Sequence, residues 1–121
     1  MTIAEKVAAT RIVAAVIMAD GAITDVEHAF LDQVVKDFGL EPEDRKRATA
    51  ALDIDTSLKE AALELKDEAV RLEVLHLAAR AMTVDGAAVK TERRRIDEVA
   101  EALGLGAEVA AEAIRIASEK K

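Results

Sequence analysis

Apolar residues recur along the chain at three- and four-residue spacing, and the β-branched and aromatic alternation that strands require is missing. The pattern predicts an all-α protein. The first segment, 3–19, is apolar around most of its circumference from Ile12 onward, which predicts a helix buried on several sides. Gly21 is expected to end it as a left-handed cap. Thr24 with Glu27 has the Thr-x-x-Glu spacing of a capping box and opens a second helix. Its inward stripe is Leu31, Val34 and Phe38; Asp32, Gln33, Lys36 and Asp37 turn outward, and Gly39 stops it. Pro42 fits the first position of a third helix over 42–52, with Glu43 and Asp44 favourable to its positive end.

The polar stretch 53–57 leads, through a second capping box formed by Ser57 and Glu60, to a short fourth helix over 58–65. A fifth helix over 68–84 sets Val74, Leu75, Leu77, Ala78, Ala81 and Met82 against a polar stripe of Glu73, His76 and Arg80. The sixth, 90–103, carries Ile96, Val99 and Leu103, and Gly106 and Glu108 open a seventh that runs into a lysine-rich tail. Ile17, Leu31, Val34, Phe38, Leu77, Met82, Ile96, Val99 and Leu103 are the expected core.

Part of this pattern occurs twice. Met18-Ala-Asp20-Gly21-Ala22-Ile23-Thr24-Asp25-Val26-Glu27, running on to Phe38-Gly39-Leu40, aligns without a gap with Val84-Asp85-Gly86-Ala87-Ala88-Val89-Lys90-Thr91-Glu92, running on to Leu103-Gly104-Leu105. The chain therefore reads as a single domain over 1–121. It is expected to be a seven-helix bundle of two three-helix halves, about 3–52 and 68–119, joined by the short fourth helix as connector. The helix pairs 3–38 and 68–103 are expected to superpose through an approximate two-fold axis.

Composition and charge narrow the functions. With no cysteine there is no disulfide frame, thiolate metal site or cysteine nucleophile. A net charge of −7 and only two aromatic residues argue against nucleic acid, which needs a basic surface and stacking platforms. The apolar run 12–19 behind Lys6 is not a signal sequence, because Glu5 and Arg11 interrupt it and its counterpart recurs inside the chain at 75–84. A cytoplasmic protein with no spanning segment is expected. No Ser-His-Asp set, Walker loop, HExxH or EF-hand loop is present. His28 and His76 fall on polar faces without a second ligand at metal spacing and are expected to face solvent or form salt bridges; Arg93 to Arg95 read as a solvated face.

The repeated acids ask for more than packing. Asp20 and Asp85 fall at carboxyl ends of predicted helices, where the macrodipole disfavours a negative charge by about 0.3–1 kcal/mol. Glu92 has kept its place although Val89 stands where a capping Ser or Thr belongs. Glu27 and Glu92 both lie on the line of the apolar stripe, so each should point inward and need a hydrogen-bond donor, an arginine such as Arg11 or Arg80, or a cation. Capping with ion pairing and divalent-ion binding both account for the four acids.

The doubled Asp-Gly-x-Ile/Val-x-x-x-Glu motif after an alanine-rich helix resembles the TerB-like domain of tellurite-resistance proteins and the amino-terminal domain of DjlA-type membrane co-chaperones. The resemblance covers nearly the whole chain. It implies a helical, acidic, non-enzymatic protein-interaction module of bacterial stress or tellurite response, with an unidentified protein partner and an association with membrane-linked assemblies. It also implies a divalent-cation site, which carried over position by position falls on Asp20, Glu27, Asp85 and Glu92. The second copy departs from the family pattern at Ala88 and in the basic residues Lys90 and Arg93 to Arg95. A calcium or magnesium sensor is the alternative function, and a metal-dependent hydrolase the weaker one.

Overall fold

A computed structural model of the chain describes residues 2–18, 25–49, 54–83 and 90–119, with side chains at all of these except 18, 48–49, 54–58, 83, 90–94 and 118–119. Among the described residues there are seven helices and no strand: α1 (Ile3–Met18), α2 (Asp25–Phe38), α3 (Pro42–Thr49), α4 (Ile54–Glu64), α5 (Glu68–Thr83), α6 (Lys90–Ala102) and α7 (Ala107–Glu119). The expected turns at Gly21 and Gly86 lie outside the described residues, as does the stretch 50–53.

α1 is the axle of the fold. It opens with a capping box: Thr2 N donates to Glu5 Oε1 at 2.8 Å and Glu5 N to Thr2 Oγ1 at 3.1 Å. Beyond that turn its apolar residues have no preferred side, and α2, α3, α4, α5 and α6 all pack on it. Ala9, Ile12, Val13, Ala14, Ala15, Val16 and Ile17 are all buried. Thr10 is tolerated among them because its hydroxyl donates to the Lys6 carbonyl at 2.8 Å.

Two apolar clusters form around α1. The larger joins Ile12 and Val16 to Leu65 of the α4 end, Val74 and Leu75 of α5, Ile96 and Val99 of α6, and the alanines of α7. The smaller joins Val13 and Ile17 to Leu31 of α2 and Ala81 of α5. Small residues let the helices approach closely: Ala61 and Ala62 bring α4 against α1, and Ala110, Ala113 and Ala117 bring α7 against α5 and α6.

α4 differs from expectation in extent. It is helical from Ile54, so Ser57 lies within the helix rather than at its cap. It also packs along α1, where Arg11 reaches Glu60 at 3.3 Å, and so adds Ala61 and Ala62 to the core. α2 ends where Gly39 predicts, and α6 ends in the same way at Gly104. Each glycine has positive φ, 67° and 73°, and closes a Schellman turn. Leu40 N donates to Val35 O at 3.2 Å, and Leu105 N to Ala100 O at 2.7 Å.

Of the nine expected core residues, seven are buried. Phe38 and Leu77 are only partly so. Spacing places both on apolar stripes, but the space above them stays open.

Candidate functional site

The four acids predicted as a site are placed unevenly. Glu27 lies in the first turn of α2 and is buried, with 6% of its surface exposed, as its position on the apolar stripe requires. The positive end of α2 favours its charge. Glu92 falls in the first turn of α6, where its side chain is outside the description, and Asp20 and Asp85 lie outside the described residues altogether.

Neither arginine expected to answer these acids is uncommitted. Arg11 ties three helices together: Nη1 meets Glu60 of α4 at 3.3 Å and Nη2 donates to the Arg47 carbonyl of α3 at 3.3 Å. Arg80 lies over the Phe30 ring, 5.9 Å from its centroid. Phe30 is one turn beyond Glu27 on the same helix, so Arg80 reaches the helix that carries Glu27.

A second feature stands out, a groove of about 350 Å³ between α2, α5 and α7. Its floor is apolar, made by Val34, Phe38, Leu77, Ile116 and Ala117. Its rim is charged or polar, with Asp37 from α2 and Glu73, His76 and Arg80 from α5. The polar stripe of α5 was legible in the sequence; that it borders a groove was not, because α2 and α7 are supplied from distant parts of the chain. His76 is therefore half-buried on the groove wall rather than free in solvent. His28 meets Asp32 through Nδ1 and Oδ2 at 3.2 Å, a salt bridge of the expected kind when protonated.

A family model described as Tellurite resistance protein TerB matches residues 6–117. The chain belongs to the TerB family. No curated protein and no solved structure matched it. The TerB match runs from the first turn of α1 into the last turns of α7, so the groove and the acidic motif copies both lie inside it. No helix among the described residues is long and apolar enough to cross a membrane.

Proposed function

We propose that this TerB-family chain is a non-catalytic protein-interaction module, and that it docks its partner in the groove between α2, α5 and α7. The observation that carries this reading is the incomplete burial of Phe38 and Leu77 on the groove floor. Apolar surface left facing water forgoes about 25 cal/mol per Å², which a partner side chain seated there recovers. An apolar floor ringed by a few polar groups is the usual form of a recognition site. Family membership favours a role in the tellurite or general stress response, in the cytoplasm and in contact with membrane-linked assemblies. The two motif-bearing halves act in this reading as one module.

Capture of partners from the native cell, with crosslinking, tests it. Phe38→Glu or Leu77→Glu should lose the partner that the wild-type chain captures while helical content by circular dichroism is unchanged. Equal capture by wild type and both variants removes the groove from the proposal.

One observation favours a second reading, a divalent-cation sensor using Asp20, Glu27, Asp85 and Glu92: the burial of the Glu27 carboxylate at the α2 start. A hard ion such as calcium or magnesium takes oxygen ligands of this kind at about 2.0–2.6 Å. Titration calorimetry with calcium, magnesium and manganese should then show heat that Glu27→Gln and the pair Asp20→Asn, Asp85→Asn abolish. Absence of heat with all three ions leaves capping and ion pairing as the role of the acids.

A further inference from the structure

The groove has a charge as well as an apolar floor. Resting on the docking reading above, we infer that its occupant is a basic amphipathic helix of a partner protein, with apolar anchors on Phe38, Leu77 and Ile116 and a lysine or arginine directed to Asp37 and Glu73.

The charge argument comes first. Asp37 and Glu73 are contributed by different helices to the same groove, and both are exposed. Asp37 accepts from the Gln33 amide at 2.8 Å, a neutral donor that leaves its charge uncompensated. Glu73 meets no basic side chain among the described residues. The groove's arginine, Arg80, is held over the Phe30 ring, 5.9 Å from its centroid, and offsets only one of the two acids, so the rim's carboxylates outnumber its arginine. Two carboxylates beside an apolar floor suit a lysine or arginine, whose aliphatic stem lies on the floor while its head reaches the acids. The net charge of −7 adds long-range attraction for a basic partner and repels a second copy of the chain.

The wall geometry selects a helix. Glu73, Leu77 and Arg80 stand on successive turns of α5, so the wall is ridged at about the 5.4 Å helical pitch, to which the side-chain ridges of another helix fit. A peptide adding as a β-strand would need a sheet edge, and none exists among the described residues; the ridge pattern of the wall suits a helix instead. A volume of about 350 Å³ has room for a few anchor side chains, the amount a helix presents from one face.

The test uses a synthetic amphipathic peptide of about 18 residues, long enough to form a helix on binding. Leucines are placed at i, i+3 and i+7, flanked by lysines, with one tryptophan as reporter because the chain has none. The peptide should bind the full chain, shift the NMR resonances of Phe38 and Leu77, and weaken as salt rises. The double variant Asp37→Lys, Glu73→Lys should bind it about tenfold more weakly or worse, and should prefer a version with glutamates in place of the lysines. Circular dichroism checks that the variant keeps its helices. Equal binding of a scrambled peptide of the same composition overturns the inference, as does affinity unaffected by the double variant, a resonance map away from the groove, or no binding at all. Sedimentation showing a dimer that buries the groove also overturns it. If Leu77→Glu loses the native partner while the basic peptide fails, the docking reading stands and the basic-helix inference falls.

Discussion

Arg71 shows how much one side chain can hold that no local pattern announces. Its Nη1 donates to Leu103 O at 3.0 Å and its Nη2 to Ala62 O at 3.1 Å, and Nε donates to Leu65 O. These carbonyls belong to the ends of α4 and α6, where backbone acceptors have no partner within the helix and the dipole is negative. A guanidinium answers both ends because its donors diverge in a plane; an ammonium is a point. Arg71→Ala should therefore destabilise the fold by about 1–3 kcal/mol, and Arg71→Lys should restore less than half of the loss. Urea unfolding midpoints measure both. An unchanged midpoint for Arg71→Ala would show that water replaces the arginine at no cost. The residue was not legible as a staple because Ala62 and Leu103 are 9 and 32 positions away in sequence.

At the scale of the element, the carboxyl ends of α2 and α6 are the most legible part of the chain. Gly39 and Gly104 lie in the left-handed region with no close neighbour: nothing is within 4 Å of a Cβ at Gly39, and Arg71 Nη1 stands at 3.6 Å from one at Gly104. Gly39→Ala and Gly104→Ala should each cost about 1 kcal/mol from backbone strain alone, read as a fall in thermal midpoint. Similar losses at both sites would support two helix pairs built to one plan, as does the burial of Leu31 and Ile96 and of Val34 and Val99 at matching positions. α3 and α7 match less well: α7 buries a row of alanines, whereas α3 has no buried side chain among those described. Periodicity also could not tell a filled stripe from an open one. Leu103 and Leu77 both read as core, yet only Leu103 is buried. Leu103→Ala should cost about 2–5 kcal/mol and Leu77→Ala clearly less, because its cavity is already open to solvent. Equal losses would mean the groove closes in solution. The start of α4 differs in a related way: Ser57 and Glu60 carry a capping spacing, but the chain is already helical at Ile54. The acidic site was legible only as a motif, with Glu27 the one member whose burial the structure describes.

For the molecule as a whole, the uneven distribution of buried side chains among the helices sets the order in which parts can open. α1 is covered by five other helices and its central residues are buried, so its amides can exchange with solvent only when the whole domain unfolds. α3 is the opposite case. It is short and highly charged, and it is held against α1 and α2 by the Arg11 bond to Arg47 O at 3.3 Å and by the Arg45–Asp32 ion pair. α3 packs on α1, but no side chain described in it is fully buried, and a half-exposed ion pair of this kind adds only about 0–1 kcal/mol, so α3 is tied less firmly to the cooperative core than α5 or α6. Native-state hydrogen exchange should show the α1 amides protected with the free energy of global unfolding, and α3 opening well below it. Arg45→Ala should lower α3 protection further and leave α1 unchanged. α5 and α6 should follow α1, since Val74, Leu75, Ile96 and Val99 belong to the same cluster as Ile12 and Val16. Exchange of α1 and α3 with one common free energy would contradict this hierarchy, because it would require the polar contacts of α3 to couple as strongly as the buried aliphatic core.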